Sequence, residues 1–319
     1  MGQKMAHFGP LEGKLVVLIG GGGFFGSHIA QDLLHNGARL RIAERHAEEA
    51  VKLKPMANLG QLQFSRCDVK DRRSIEAAVR GADAVVYLVG TFGRDAQALQ
   101  ATGPRIVAEV AAGEGVQSFV SISAIGADAA SESLYARTKG LGEANVRAAF
   151  PRATILRPSV LFGEDDNFLN MFARMIAGMP ILPLFGEKAR LQPLWVDDAA
   201  AAAVAALSDP GAHGGKIYEI AGPEVVTMGE LNRRIAAAQG RERRFIAVPD
   251  KVASLFAALP GTPISSDQLA LLKRGSVASG ELPGIAELGV TPKPLDLFLD
   301  RWMVRYRKHG RFSTKGELA

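Results

Sequence analysis

Short apolar runs alternate with segments of helical periodicity through the first half of this 319-residue chain. Alternation of this kind predicts βαβ units and a parallel sheet. The predicted strands are Leu15–Ile19, Arg39–Ala43, Leu62–Arg66, Ala84–Val89, Ser118–Ile122 and Ala153–Leu156. The predicted helices are Gly23–Asn36, Ser74–Arg80, Gln97–Ala112 and Ser133–Ala149.

The pattern changes after Arg157, where proline and glycine become frequent. The sequence there predicts an apolar helix at Asn167–Gly178 and a late strand at Lys216–Ile220. A capping box at Thr227–Glu230 predicts the start of another helix. We therefore predict an α/β protein, a Rossmann-type doubly wound parallel sheet with a smaller C-terminal substrate cap. Its dinucleotide-binding domain would span residues 1–160, with returns from about 190–222, and residues 161–319 would form the cap and C-terminal helices.

A glycine-rich turn follows the first predicted strand, in the segment KLVVLIGGGGFFG. Gly20 lets the chain turn tightly, Gly23 lets a diphosphate approach the backbone, and Gly26 lets the next helix pack closely. The N-terminus of that helix would attract phosphate. We predict a dinucleotide site at Gly20, Gly23, Phe24, Phe25 and Gly26; the alternative is a tight turn with no ligand.

A serine, a tyrosine and a lysine form the candidate catalytic set. Tyr135 and Lys139 are four residues apart, so they share one face of a helix. A nearby ammonium should lower the pKa of the phenol and prepare it for proton transfer. Ser123 follows a strand at the carboxyl edge of the sheet, where ligands bind in such folds. The spacing of Tyr135 and Lys139 is also common on ordinary helices, so a purely structural role is the alternative.

The end of the second strand bears on the choice of cofactor. Glu44 lies where an acid would bind the adenosine 2′-hydroxyl of NAD, and Arg45 lies where an arginine would bind the 2′-phosphate of NADP. The two residues favour different cofactors. We favour NADP(H) over NAD(H).

Composition and charge narrow the class of protein. The net charge of +5 is spread along the chain, which does not favour a nucleic acid partner. The single cysteine, Cys67, excludes a disulfide within the chain, and we expect it to be buried. Neither a secretory signal nor a membrane-spanning run is visible, so a cytoplasmic location is expected. The basic, aromatic stretch Leu297–Lys308 could lie on a membrane or an acidic partner, although a core-packed helix is favoured.

The order of these motifs resembles that of short-chain dehydrogenases/reductases of the extended or atypical, NAD-dependent epimerase/dehydratase-like kind. The shared motifs are Gly20, Gly23 and Gly26, Cys67–Val69, the set Ser123, Tyr135 and Lys139, Ile155–Ser159 and Trp195–Asp198. Four longer phrases are similar to bacterial relatives of the nucleotide-binding accessory subunit of respiratory complex I. They are Val86–Gly90, Ser121–Ala127, Tyr135–Glu143 and Ile181–Phe185.

The resemblance implies further cofactor contacts. Asp68 would accept from the adenine amine beside Val69, and Val89 and Gly90 would pass under a ribose. Lys139 would hold the nicotinamide ribose, and Arg157 and Pro158 would shape the floor near the nicotinamide. Asp197 and Asp198 would cap the alanine-rich helix that follows them. The family often has an asparagine where this chain has Gln100, which puts a proton relay there in doubt.

Three functions remain open. The first is a complex I-type accessory protein that holds NADP(H) tightly, turns over little, and associates with a respiratory complex or with a membrane at its inner face. The second is an active NAD(P)-dependent oxidoreductase or epimerase acting on a hydroxyl or ketone of an unidentified small molecule. The third, a dinucleotide sensor, is disfavoured because Ser123, Tyr135 and Lys139 are all present. No metal site is predicted.

Overall fold

A seven-stranded parallel sheet forms the centre of the protein. The computed structural model describes residues 9–258 and 266–308. In the sheet the strand order is β11-β6-β5-β4-β1-β2-β3, and every neighbouring pair is parallel. The order reverses at β1, so the carboxyl ends of β1 and β4 flank the crevice where such folds bind ligands. The sheet strands are β1 (Leu15–Ile19), β2 (Arg39–Glu44), β3 (Leu62–Arg66), β4 (Ala84–Tyr87), β5 (Ser118–Ile122), β6 (Thr154–Pro158) and β11 (Ile217–Ile220).

Helices cover both faces of the sheet and build the cap. On one face α1 packs against α6, and on the other α3 packs against α2 and α4. The α-helices are α1 (Phe24–His35), α2 (Arg72–Val79), α3 (Gly103–Gly113), α4 (Leu134–Ala149), α5 (Phe168–Gly178), α6 (Val196–Ser208), α7 (Pro210–His213), α8 (Met228–Ala238), α9 (Asp250–Ala258), α10 (Ser266–Arg274) and α11 (Asp296–Met303). Short 3₁₀ helices span Ala47–Met56, Ile285–Leu288 and Val304–Tyr306.

The remaining strands pair in three short ribbons. Strands β7 and β10 are parallel, β9 and β12 are antiparallel, and β8 and β13 are parallel. Their bounds are β7 (Leu161–Phe162), β8 (Ile181–Leu184), β9 (Arg190–Leu191), β10 (Leu194–Trp195), β12 (Val226–Thr227) and β13 (Arg244–Ala247). Beside them α5, α8 and α11 enclose a separate apolar core that contains Phe162, Leu231 and Trp302.

The predicted α/β class and parallel sheet are confirmed. Several element bounds shift by one or two residues, and three of the differences have a visible structural cause. Strand β4 ends at Tyr87, two residues early, because its neighbour β1 ends at Ile19, which pairs with Tyr87. Strand β6 continues to Pro158, because β11 pairs with it as far as Ile220. The division of the chain into domains at residue 160 stays a prediction.

The third shift divides the predicted helix Gln97–Ala112. Its first part, Gln97–Thr102, is a π-helix, and α3 begins at Gly103. Pro104 has no amide hydrogen to donate to the carbonyl of Gln100, which removes one α-helical bond. Gly142 of α4 lies against that carbonyl oxygen, where a Cβ atom could not fit. The π-helix therefore lies where α4 approaches this segment most closely.

Candidate functional site

The glycine turn between β1 and α1 has the geometry that the sequence predicts. Gly20 has a φ of +86°, which favours glycine, and a Cβ there would lie 3.1 Å from the Val89 side chain. A Cβ at Gly23 would meet only the Gly20 carbonyl oxygen, at 3.7 Å, so the space above this residue is open. A Cβ at Gly26 would lie 2.6 Å from the Gly21 backbone. Gly26 thus permits close packing, and Gly23 leaves room for a ligand.

Glu44 and Arg45 diverge at the end of β2. The half-buried Glu44 accepts a hydrogen bond from the Gly22 amide, with 2.5 Å between nitrogen and oxygen. Burial raises the pKa of this carboxyl, although the Gly22 hydrogen bond opposes the shift. Arg45 is exposed and makes no ion pair within the described residues. The Glu44 carboxylate therefore points to the glycine turn, while the Arg45 guanidinium has no ion-pair partner among the described residues.

The other residues implied for the cofactor lie on neighbouring strand ends of the same edge. Val89 and Gly90 follow β4, and a Cβ at Gly90 would lie 3.5 Å from the Lys139 nitrogen. Asp68 follows β3 and accepts from the Lys70 amide at 2.9 Å, and Val69 beside it is buried. Their roles toward a cofactor stay predictions. The neighbouring Cys67 is buried as expected, and burial raises its pKa to about 11.

Tyr135 and Lys139 lie one turn apart on α4. The Lys139 nitrogen is 5.9 Å from the centre of the Tyr135 ring and donates to the Ile122 carbonyl oxygen at 2.9 Å. Burial raises the pKa of Tyr135 to about 12 and lowers that of Lys139 to about 8, against the Glu143 charge. The expected lowering of the tyrosine pKa is therefore wrong. The cost of desolvating a phenolate outweighs the ammonium, which is held by a backbone carbonyl.

Ser123 is turned toward a buried ion pair. Its hydroxyl donates to Glu143, and Arg157 binds the same carboxylate through two hydrogen bonds of 2.9 and 2.7 Å. Glu219 lies 3.8 Å from Arg157 and also accepts from the Ser279 amide and hydroxyl. Arg157, implied as part of the nicotinamide floor, therefore has its guanidinium inside this network. Pro158, beside it, pairs with Ile220 at the end of β6.

The structure places Lys139 next to each of the other two catalytic candidates, Ser123 and Tyr135. Ser123 and Lys139 line a cavity of about 10 Å³ together with Gln100 and Glu143. Such a volume holds at most about one water molecule. Tyr135 does not line this cavity, and within the described residues no hydrogen bond joins it to Ser123. The role of Ser123, Tyr135 and Lys139 as one catalytic set stays a prediction.

Gln100 has a protein partner at each polar end of its side-chain amide. Its side chain is buried, donates to the Thr91 carbonyl oxygen and accepts from the Thr138 hydroxyl at 3.2 Å. Both polar ends of the amide therefore have protein partners. This agrees with the doubt raised by the departure from asparagine at this position.

Two contacts of the Tyr135 region were not found from the sequence. The carboxylate of Asp267, in α10, accepts from the amides of Leu134 and Tyr135 at 2.9 and 3.1 Å. The ring of Phe92 stacks on that of Tyr135 with 4.5 Å between centroids. Asp267 is 132 residues beyond Tyr135, so no local pattern connects them. The cap-side helix α10 is thus bonded to the start of α4.

A histidine in α1 bonds to two carboxylates outside the predicted site. His28 Nδ1 lies 2.6 Å from Asp197, and Nε2 lies 3.3 Å from Asp165. Burial opposes protonation, yet these two partners raise the pKa of His28 overall. His28 and Asp197 line a groove of about 670 Å³ between α1 and α6. Within the part of the chain that the structure describes, no three His, Cys, Asp or Glu side chains form a metal-binding group.

The expected capping role of Asp197 and Asp198 is wrong. The N-cap of α6 is Trp195, and both aspartates lie in the first turn of the helix. Asp197 binds His28 and the Trp195 indole, and Asp198 accepts from the amide and ammonium of Lys293. The two carboxylates therefore bond to side chains and backbone elsewhere in the fold, and not to the free amides at the start of α6.

Comparison with known proteins identifies the family of the chain. A family model described as the NAD dependent epimerase/dehydratase family matches residues 16–221. The chain belongs to this family. Its predicted membership of the epimerase/dehydratase-like group is thereby confirmed, and the family description supports the predicted cofactor class, a nicotinamide dinucleotide.

Relatives of this epimerase/dehydratase family member include respiratory proteins and a reductase. It is 32% identical over 321 residues to NADH dehydrogenase [ubiquinone] 1 alpha subcomplex subunit 9, mitochondrial, from Mus musculus, covering 96% of this chain and 84% of that protein. It is 28% identical over 242 residues to a ceramide reductase from Caulobacter vibrioides, covering 73% and 74%. The predicted similarity to the complex I accessory subunit is confirmed.

A solved family structure shows the same fold. The UDP-glucose 4-epimerase of Thermus thermophilus, solved with NAD, superposes with a TM-score of 0.70 at 21% identity, covering 92% of this chain and 99% of that one. Among residues 9–258 and 266–308, no helix is long and apolar enough to cross a bilayer. The cytoplasmic location stays a prediction.

Proposed function

We propose that the protein binds one nicotinamide dinucleotide at the glycine turn, prefers NADP(H) to NAD(H), and holds it with little turnover. The observation that carries the binding proposal is the contrast between Gly23 and Gly26. Space is open above Gly23, while Gly26 brings α1 against the turn. Amides in the first turn of α1 have no acceptor inside the helix, so they are available to a diphosphate.

The residues proposed to hold the cofactor surround this turn. When bound, a nicotinamide dinucleotide supplies a hydride donor or acceptor. The proposed set is Gly20, Gly23, Phe24, Phe25, Gly26, Glu44, Arg45, Asp68, Val69, Val89, Gly90, Lys139, Arg157 and Pro158. Of these, Arg157 would act through its backbone and through Glu143, because its guanidinium is already paired.

The preference for NADP(H) rests on the end of β2. Arg45 is exposed and unpaired within the described residues, so its guanidinium can bind a 2′-phosphate. Glu44 would repel that phosphate if its carboxylate lay beside it. Its hydrogen bond to the Gly22 amide directs the carboxylate to the glycine turn instead.

Low turnover is supported by the state of the catalytic candidates. The Ser123 hydroxyl hydrogen is given to Glu143, so it is not offered to a substrate oxygen. Burial raises the pKa of Tyr135 to about 12, which makes its phenol a weaker acid and its phenolate harder to form. The cavity beside Ser123 is about 10 Å³, far below the volume of a substrate.

An active oxidoreductase is the second candidate. Tyr135 and Lys139 keep the spacing of a proton-transferring pair, with 5.9 Å between the ammonium and the ring centre. Two relatives are named as reductases, the Caulobacter ceramide reductase and an NAD(P)H azoreductase of Xenophilus azovorans. If Ser123 turned away from Glu143, the three residues could act together on a hydroxyl or ketone.

Peripheral association is the proposed cellular setting. The mitochondrial relatives are named as subunits of NADH dehydrogenase. By that likeness we propose that this chain associates with a respiratory complex or with a membrane surface at its inner face. Nucleic acid is not a proposed partner.

Substitution at Gly23 tests the binding proposal. Gly23 has extended backbone, with φ of −70° and ψ of 179°, so valine fits the backbone but places methyl groups where the diphosphate would lie. Gly284 also precedes a helix in extended backbone and has no atom within 4 Å of an added Cβ. We expect Gly23→Val to lose binding of NADPH in calorimetric titration, and Gly284→Val to keep it. Unchanged affinity in folded Gly23→Val would contradict the proposed site.

Turnover is tested separately. Mass spectrometry of the ligand released from purified protein should detect NADP(H). The absorbance of the reduced nicotinamide should then stay constant when ketones, aldehydes or quinones are added. Sustained oxidation by any of them would favour the active oxidoreductase instead.

A further inference from the structure

We infer that the protein binds the surface of an anionic lipid bilayer through exposed apolar and basic side chains around α9. This deepens the peripheral association proposed above by naming the face and the partner. The α9 surface is defined as the side chains of Ile181, Arg244, Ile246, Lys251, Val252 and Leu255.

The ribbon β8–β13 contributes one exposed apolar face. Residues paired across neighbouring strands point to the same side, and Ile181 pairs with Arg244 while Pro183 pairs with Ile246. Ile181 and Ile246 are 48% and 57% exposed. The opposite face carries Leu182, which is buried in the cap core. The ribbon therefore uses one face for packing and leaves the other apolar face uncovered.

Helix α9 follows the ribbon after two residues and continues this pattern. Val252 and Leu255 are three residues apart, on one side of the helix, and are 54% and 70% exposed. Ala253 and Ala257 are buried on the other side, in a small cluster with Leu269 of α10. From Val252 to Ala258 the sequence has no ionisable residue. Val252 and Leu255 thus face outward, while Ala253 and Ala257 make packing contacts.

The charge around these side chains complements anionic headgroups. Arg244 and Lys251 are exposed, and neither makes an ion pair within the described residues. Two acids lie nearby: Glu242 is exposed, and Asp250 pairs with Lys273 at 3.4 Å. Two unpaired cations beside exposed aliphatic side chains are typical of segments that lie in the headgroup region of a membrane.

The C-terminal stretch Leu297–Lys308, which the sequence offers as a possible membrane contact, suits that role less well than the α9 surface. Trp302 is buried in the cap core. Arg305 donates to the Glu164 and Trp302 carbonyl oxygens, and Arg307 donates to that of Ala238. These aromatic and basic groups are therefore used within the fold, as the core-packed alternative expects, whereas those of the α9 surface are not.

The α9 surface is connected to the candidate catalytic residues. Helix α9 packs on α10, and Asp267 of α10 binds the backbone of Leu134 and Tyr135. Phe92, stacked on Tyr135, is itself 54% exposed. A bilayer bound at α9 would therefore contact a helix that packs on α10, the element bonded to the start of α4.

Vesicle sedimentation of the full-length protein tests this inference. We expect binding to phosphatidylcholine vesicles that contain phosphatidylglycerol, weaker binding to pure phosphatidylcholine, and release by salt. Leu255→Asp should weaken the partition at least about ten-fold, since an aliphatic side chain no longer enters the lipid. Lys251→Glu, which leaves the apolar side chains intact, should also weaken binding.

A matched control is Leu59→Asp, because Leu59 is fully exposed and lies outside the α9 surface. Equal loss in this control, or no loss in Leu255→Asp, would overturn the inference. Loss in Leu297→Asp instead would assign the contact to α11 and also overturn it. NADPH titration of the same variants should be unchanged. Wild-type protein that binds vesicles but no dinucleotide would refute the proposed function and leave this inference intact.

Discussion

Replacement of Glu143 by glutamine should destabilise the protein strongly. The carboxylate is 7% exposed and accepts two hydrogen bonds from Arg157 and one from Ser123. Removing one member of a buried ion pair costs about 3–5 kcal/mol. Because Arg157 is 18% exposed and Glu219 lies 3.8 Å from it, we expect a loss of about 3 kcal/mol, the low end of that range.

Urea denaturation followed by circular dichroism measures this loss. Glu187→Gln is the control, because Glu187 pairs with Arg233 at a similar 2.8 Å, with side chains 33% and 57% exposed. An exposed pair contributes at most about 1 kcal/mol. Two variants with the same chemical change should therefore differ by about 2 kcal/mol, and the difference reports burial.

A double-mutant cycle identifies the partner. Arg157→Met should also be destabilising, because it leaves the Glu143 charge with only the Ser123 donor. The double variant Glu143→Gln, Arg157→Met should lose less than the sum of its two single variants, by about 2 kcal/mol. A Glu143→Gln protein within about 0.5 kcal/mol of wild type would refute the pairing, and with it the argument that Ser123 is occupied.

Three further outcomes are expected. Gly26→Ala should cost about 2–3 kcal/mol in chemical denaturation, because its methyl group would lie 2.6 Å from the Gly21 backbone. Arg45→Ala should weaken the binding of NADPH by about 1.5–3 kcal/mol and that of NADH little, as measured in parallel titrations. Arg39→Ala, at the other end of β2, should change the binding of neither cofactor. Wild-type protein that prefers NADH would mean that Glu44, and not Arg45, determines the cofactor preference. The stability that His28 contributes should be complete below its ordinary pKa and lost as pH rises through its raised folded pKa, so His28→Gln should flatten the dependence of Tm on pH.

The sequence predicted the parts of the site that depend on local pattern. The glycine turn, the strand ends and the shared helix face of Tyr135 and Lys139 follow from spacing of a few residues. These features were found because βαβ units repeat one backbone geometry. The π-helix at Gln97–Thr102 was missed, since its cause lies partly in Gly142, forty residues away in sequence.

Side-chain partners that are distant in sequence could not be predicted. Nothing near Ser123 signals that its hydroxyl binds Glu143, and nothing near Tyr135 signals Asp267. The predicted direction of the Tyr135 pKa shift was wrong for the same reason. Its direction depends on how much solvent the fold removes, and helical spacing alone carries no information about that.

Charge balance offers a reason for the position of Lys139. Arg157 alone faces two buried carboxylates, Glu143 and Glu219, which leaves one negative charge uncompensated. The Glu143 charge favours the protonated form of Lys139, and the ammonium lies against the same cavity as that carboxylate. When Lys139 is protonated, its charge and that of Arg157 balance those of the two glutamates, and the net charge of the four groups is zero. Beside the role that the resemblance implies for it next to Tyr135 and the nicotinamide ribose, Lys139 therefore also balances charge in the buried network. This second role needs no contact with the Tyr135 hydroxyl. It follows that the Ser-Tyr-Lys motif can be retained in a protein that holds its cofactor without using it.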